Sequence, residues 1–270
     1  MPHVFTTKDI TGKFILLGTG TSVGVPAIGC GCDVCRSENP RNRRTRASAI
    51  VGLPHGNLLV DTAPDLRQQL LREDIGIVHA VVYTHEHADH IFGLDDLRLF
   101  PFRLQGPVPL YCEPAVEDRI RRSFDYAFAT TPETHPGARP SLEIRTIGTE
   151  PFEALGTIIR PMRLLHGPHY QVLGFRIGSI AYCTDTNEIP ESTFAVLEGC
   201  DVLILDALRP RPHPTHFSVN EALQVIERVQ PRHAYLTHVC HELEYEATNA
   251  ELPDGVELAY DGLSIDLSLP

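Results

Sequence analysis

Val78-His79-Ala80-Val81-Val82-Tyr83-Thr84-His85-Glu86-His87-Ala88-Asp89-His90 joins a short apolar run to a cluster of histidines and carboxylates. Its first half is rich in β-branched residues and too short for a typical helix, which predicts a buried strand that delivers His85 at its end. The second half packs three histidines and two carboxylates into the six residues His85 to His90. That composition fills a core poorly and holds a metal ion well. In extended backbone His85 and His87 point to the same side and can share one ion. Asp89 and His90 fall where the chain can turn into a short helix, within reach of a second. Two ions about 3.5 to 4 Å apart can hold a hydroxide between them and polarise a substrate oxygen. A solvated loop that happens to be rich in histidine is the bland alternative, and the H-x-H-x-D-H spacing directly after an apolar strand argues against it.

Working outward, the 270 residues are long enough for one large domain, and nothing in the sequence forces a split. Helix-like and strand-like segments alternate throughout, which favours a mixed α/β architecture. The net charge of -12 works against broad binding to nucleic acid or anionic membranes, which need a basic field. A small substrate in a local pocket fits better. Met1 to Lys13 has no basic segment followed by a long apolar run, so no signal peptide is expected, and no apolar run approaches the roughly 18 residues of a membrane span. Seven cysteines, with three clustered, read as metal ligands in a reducing cytoplasm rather than as a disulfide framework.

The clustered cysteines are Cys30, Cys32 and Cys35, and their C-x-C-x-x-C spacing suits a tetrahedral thiolate zinc site with one ligand still to find. Cys240 and His241 are the candidates. The basic run Arg41, Arg43, Arg44 and Arg46 reads as a solvated loop, with a phosphate-binding role for one of them as the alternative. Ala127 to Pro140, heavy in Pro, Thr and Gly, reads as a mobile loop in which His135 is solvated. Helices are expected from about Pro64 to Arg72, from Glu113 to Phe124, from Ile189 to Leu197 and from Val219 to Val229. Val256 to Tyr260 and Leu263 to Leu267, joined by Asp261-Gly262, are expected to form a closing hairpin. Five apolar segments end alike, at Asp61, His85, Asp185, Asp206 and His238. Strands that repeatedly present ligand-type residues at their carboxyl ends place those ends along one sheet edge, where α/β proteins gather their sites.

The H-x-H-x-D-H motif resembles the signature of the metallo-β-lactamase superfamily, and the likeness runs through nearly the whole chain, from Cys30 to His241. It implies an α/β fold, the αβ/βα four-layer sandwich, as a single domain over residues 1-270 with a Cys-rich zinc-binding insertion near 29-46. It implies two divalent metal ions, zinc or manganese: one held by His85, His87 and His166, the other by Asp89, His90 and His238, with Asp185 bridging them. His169 is the runner-up to His166, and a helix N-cap is the plain alternative for Asp185. Asp61 would orient the metal histidines. Asp206 and His216 resemble the proton-shuttling acid and histidine of the ribonuclease Z branch, with Asp in place of Glu. The cysteine insertion is similar to that of the phosphoribosyl cyclic phosphate phosphodiesterases of the carbon-phosphorus lyase pathway, in which a histidine three residues after a metal histidine closes the structural zinc. His238 and His241 have that spacing. The Gly18-Thr19-Gly20-Thr21-Ser22 turn is similar to turns that sit near the metals in that branch. Arg98 is a candidate for anion binding, with a salt bridge to Asp95 or Asp96 as the alternative.

The activity so implied is that of a metal-dependent phosphoric diester hydrolase, with Asp89, Asp206 and His216 catalytic and a small, cyclic phosphodiester such as phosphoribosyl 1,2-cyclic phosphate as substrate. Ribonuclease Z shares the chemistry, but it needs a tRNA-gripping arm, and neither a long insertion nor a basic arm is visible. Proteins that mature the quinone cofactor carry a similar cysteine cluster. A metal-bearing scaffold without turnover would have no use for His216. A homodimer is compatible with all of these readings.

Overall fold

The computed structural model describes residues 5-130 and 134-269. Part of the Ala127 to Pro140 loop therefore lies outside the described residues, as do the first four residues of the N-terminal segment.

Among the described residues, fourteen strands form two seven-stranded sheets. The first contains β1 (Lys13–Gly18), β2 (Ser48–Leu53), β3 (Gly56–Val60), β4 (Ala80–Val82), β5 (Val108–Cys112), β6 (Leu142–Thr146) and β14 (Ser264–Asp266), in the order β14-β1-β2-β3-β4-β5-β6. The second contains β7 (Phe152–Ala154), β8 (Thr157–His166), β9 (Tyr170–Ile177), β10 (Ile180–Cys183), β11 (Val202–Asp206), β12 (His233–Thr237) and β13 (Val256–Leu258), in the order β13-β12-β11-β10-β9-β8-β7. Each sheet is mixed: β3 through β6 run parallel in the first, and β10 through β13 run parallel in the second.

The period-2 alternation of the strands sets the layers. Phe14 and Leu16 of β1 face inward and meet Leu173, Phe175, Tyr182 and Ile204 of the opposite sheet. Ile15 and Leu17, one residue out of phase, face outward and pack with Leu66, Leu70, Ile91, Val116 and Ile120 of the covering helices. The second sheet repeats the scheme, with Leu203, Leu205 and Leu236 against Leu197, Ala222 and Ile226. The result is the four-layer αβ/βα sandwich. At about 25 cal/mol per Å² of apolar area, each buried Leu or Ile contributes on the order of 1.5 to 3 kcal/mol to this stack.

The two sheets' parallel halves explain why ligand-type residues end up together. Asp61 and the segment from Thr84 follow β3 and β4, while Asp185, Asp206 and His238 lie at the ends of β10, β11 and β12. Parallel neighbours end at the same edge, so the two sets of strand ends meet across the sandwich.

The closing hairpin is not formed. β13 pairs with β12 in one sheet and β14 pairs with β1 in the other, so Asp261-Gly262 carries the chain across the sandwich. The short Asp-Gly connection reads locally as a turn, but the crossing is fixed by distant partners. Asp261 Oδ1 accepts from the Thr19 amide (2.9 Å) and Oδ2 from the Thr45 amide (2.8 Å).

Arg44 also departs from expectation. Instead of lying in a solvated loop it is one of the largest fully buried side chains. Its neighbours in the run behave differently: the Arg41 guanidinium stacks on Tyr245 and Tyr260, and Arg46 pairs with Asp65 at 2.8 Å.

Candidate metal centre

At the end of β4 the backbone leaves the sheet through Thr84 and enters a one-turn helix, Ala88–Ile91. That turn brings Asp89 and His90 back beneath His85 and His87. The rings of His85 and His90 lie 4.2 Å apart, and His85 Nε2 is 2.9 Å from His87 Nδ1. His166, the last residue of β8, joins from the opposite sheet, and the potential ligand atoms of His85, His87 and His166 all lie within 4.8 Å of one another. A second group with the same spread is Asp89, His90, Asp185 and His238. Asp185 joins the two groups: its Oδ2 is 3.9 Å from His85 Nε2 and 3.3 Å from His238 Nε2, and its Oδ1 is 3.4 Å from His90 Nε2.

Three of the histidines are oriented through the ring nitrogen that faces away from the cluster. His90 Nδ1 lies 2.8 Å from Asp61 Oδ2, His85 Nδ1 lies 3.0 Å from Thr84 Oγ1, and His166 Nδ1 donates to the Thr215 carbonyl at 2.8 Å. This arrangement fixes the tautomer and leaves Nε2 for a metal. Asp61 is itself held by the Thr84 amide and hydroxyl, each at 2.8 Å. His238 differs, because its buried Nδ1 has no hydrogen-bond partner.

Asp61, Asp185 and His238 all have left-handed backbone, at φ 62°, 53° and 59°. For residues with a Cβ this conformation costs about 1 to 3 kcal/mol and persists only where surrounding structure enforces it. Here it turns the chain sharply at a strand end and aims each side chain into the cluster.

The electrostatics ask for positive charge. Burial opposes a charged His90, but the carboxylates of Asp185, Asp89 and Asp61 outweigh it and hold the ring well above its ordinary value. Burial likewise opposes a charged His238, and Asp185 and Asp89 raise it to about 9. His85 behaves oppositely, since burial and then the charge of His90 hold it well below the ordinary range. Protons on His90 and His238 thus balance a buried carboxylate cluster that divalent cations would balance better. Together with the unpartnered Nε2 of His90, the donor set fits divalent metal ions.

Asp206 and His216 meet as a buried pair, with Oδ2 2.6 Å from Nδ1, and the Thr186 amide donates to the same oxygen at 3.0 Å. The His216 ring stacks on His238 at 4.6 Å and meets His166 edge-on at 4.8 Å, so the pair stands at the rim of the ligand cluster.

Cys30, Cys32, Cys35 and His241 form a separate four-residue group, with His241 Nδ1 3.3 Å from both Cys30 and Cys32 Sγ. Cys240 is not in it.

Arg98 and His169 lie outside the cluster, and Arg163 and Arg211 are held in ion pairs of their own. Arg98 donates to both oxygens of Asp95 (2.7 and 2.9 Å) and to the Ala138 carbonyl, a plain ion pair rather than an anion site beside the histidines. Arg163 forms a two-pronged pair with Glu113 at 2.7 and 2.6 Å. Arg211 pairs with Glu242. His169 is exposed and His166 takes the place at the cluster. The structure adds residues that sequence reasoning passed over. Tyr170 lies 5.1 Å from the His87 ring, and His213 lies 5.3 Å from His216. The first could have been found from hairpin register, since Tyr170 pairs directly with His166.

The profile of the Beta-lactamase superfamily domain matches residues 56–239, more than half of the sequence and all of the histidine–aspartate cluster. The chain belongs to the β-lactamase superfamily. Among solved structures, a diphosphatase from the PhnP family is 42% identical, covers 94% of this chain and 96% of its own, and superposes with a TM-score of 0.87. The Zn(2+)-bound PqqB from Methylobacterium extorquens shares the superfamily fold at 22% identity, with 94% and 100% covered and a TM-score of 0.77. In sequence, an octanoyltransferase of Porphyromonas gingivalis is 37% identical over 255 residues, which is 93% of this chain and 51% of that protein. The coenzyme PQQ synthesis protein B of Methylorubrum populi is 32% identical over 117 residues, 38% of this chain and 37% of that protein. The chain thus spans about half the length of the first of these relatives, and its match to the second covers little more than a third. Superfamily membership and the fold together imply divalent metal ions at the cluster.

Proposed function

We propose that this superfamily member is a metal-dependent phosphodiesterase acting on a small, cyclic phosphodiester of the phosphoribosyl 1,2-cyclic phosphate type. The observation that carries the reading is the Asp206–His216 pair at 2.6 Å, stacked on His238 at the edge of the ligand cluster. Likeness to the PhnP-family diphosphatase along nearly the whole of both chains supports phosphoryl chemistry. The octanoyltransferase name describes a protein about twice the matched length and is not carried over.

On this reading His85, His87 and His166 would hold one ion and Asp89, His90 and His238 the other, with Asp185 within reach of both groups, while Cys30, Cys32, Cys35 and His241 would hold a structural zinc. When bound, divalent ions at the cluster would supply Lewis acidity, lowering the pKa of water to about 7 and neutralising charge on phosphoryl oxygens. The protein's own residues do the rest. Asp206 orients the His216 ring through Nδ1, which leaves Nε2 to hand a proton to the departing sugar oxygen. Asp61 and Thr84 keep His90 and His85 turned toward the cluster. A small diester suits the chain better than a polyanion, because its net charge of -12 repels nucleic acid.

Purified protein loaded with zinc or manganese should open a five-membered cyclic ribose phosphate and cleave bis(p-nitrophenyl) phosphate, and a chelator should abolish both. Turnover of thioesters or β-lactams with no phosphodiester activity would overturn the assignment.

A further inference from the structure

His238 lacks a support that three of the cluster histidines have. His85, His90 and His166 are each oriented by a hydrogen bond on the far ring nitrogen, yet the far nitrogen of His238 is buried and unpartnered. Apart from the stacked His216 ring at 4.6 Å, its ring is placed by its backbone, which is held in the left-handed region at φ 59°. That backbone needs anchors on its C-terminal side.

The anchors converge on residues 239 to 243. Val239 donates to the Thr19 carbonyl at 2.9 Å, and Cys240 donates to the Leu208 carbonyl at 2.9 Å. From the other side comes Arg44, whose Nη1 donates to the Cys240 carbonyl at 3.0 Å and whose Nη2 donates to the Leu243 carbonyl at 2.8 Å. The two carbonyls flank His241, so one guanidinium spans the turn that carries both His238 and the candidate ligand of the cysteine site. Nη2 also donates to Asn42 Oδ1, and burial pushes the Arg44 pKa down to about 10, so the cation is held by dipoles rather than by a direct ion pair. A fully buried arginine is costly; the Arg44 Nε finds no hydrogen-bond partner among the described residues, so the guanidinium is held by its three Nη contacts, all of them to the insertion and this turn.

We propose that Arg44 is a positioning residue for the second metal ion: by clamping the turn on either side of His241 it sets the His238 ring, in place of the hydrogen bond that orients His85, His90 and His166. This inference rests on the assignment of the ligand cluster proposed above. It makes Arg44, one member of the basic run of the insertion, part of the second ion's support.

Cobalt titration separates the sites, because thiolate-to-cobalt charge transfer reports the cysteine site and ligand-field bands report the histidine sites. Arg44→Met should weaken the second cluster ion by about tenfold or more, as loss of a ligand-orienting group does, while the first cluster ion and the thiolate band are unchanged. Arg44→Lys, which keeps the charge and can reach one carbonyl, should fall between, and it carries the test if Arg44→Met does not fold. Unchanged affinity for the second ion, or parallel weakening of every site, would overturn the proposal. Failure of the unsubstituted protein to take up two cluster ions would instead refute the ligand assignment beneath it.

Discussion

Asp61 Oδ2 stands 2.8 Å from His90 Nδ1, with both side chains wholly buried and the Thr84 amide and hydroxyl completing the carboxylate's contacts. One acidic group thereby steers a histidine of the second group from behind. Asp61→Asn keeps the shape and tolerates the left-handed backbone, but it removes the charge that favours a metal-ready ring. Affinity for one of the two ions should fall about 10- to 100-fold with the fold intact, as read by metal analysis and circular dichroism.

His216 should matter in proportion to the leaving group. His216→Ala is expected to lower kcat by about 10² to 10⁴-fold for a sugar alkoxide and far less for p-nitrophenolate, which departs without a proton. Asp206→Asn should follow the same pattern, because His216 is oriented through Oδ2. Equal losses with both substrates would remove the proton-donor role.

Metal uptake should be pH-dependent. His238 in the metal-free protein is raised to about 9 and His90 lies well above its ordinary value, so both rings carry protons at neutral pH. Binding a cation must displace those protons. Apparent affinity for the second ion should therefore tighten as pH rises toward about 9, with proton release measurable by calorimetry in buffers of different ionisation enthalpy. Affinity that is flat from pH 6 to 9 would contradict the charge balance described.

The metal-free cysteine cluster should alkylate in order. The Cys35 amide and then His241 bring the Cys32 thiol down to about 6, whereas burial pushes Cys35 up to about 11. Thiolates are the reactive form, so iodoacetamide at neutral pH after chelation should label Cys32 before Cys35. Mass spectrometry at short times reads this directly, and zinc should protect both.

Ser218 caps the helix Val219–Val229 with a reciprocal pair: its hydroxyl caps the Glu221 amide and the Glu221 carboxylate accepts from the Ser218 amide at 2.8 Å. Ser218→Ala should cost about 1 kcal/mol, seen as a melting temperature lower by about 2 to 4 °C. A wild-type melting curve would show that the cap is redundant.

The ligand cluster was legible because its signals are local. H-x-H-x-D-H is contiguous, and Asp185, Asp206 and His238 each follow a short apolar run that announces a strand. The Val219–Val229 helix has the bounds its periodicity predicts. What failed depended on partners far away in sequence. Arg44 looks like any loop arginine until Cys240 and Leu243 present their carbonyls to it. Asp261-Gly262 looks like a hairpin turn, and only pairing of the following strand with β1 shows that it is a crossing. The left-handed backbone at Asp61, Asp185 and His238 leaves no mark in composition, since none of them is a glycine.

Those three corners divide the labour within the molecule. Straight strands run in register up to the corner, and past it the chain is released from pleat alternation, so the residue there can be chosen for its chemistry with no change in what the strand packs against. A swap at such a corner, Asp185→Asn for instance, alters what the pocket can bind and leaves Ile180 to Cys183 seated in the core as before. Sandwiches built this way can change their reaction by exchanging single residues at the rim, and the interior need not follow.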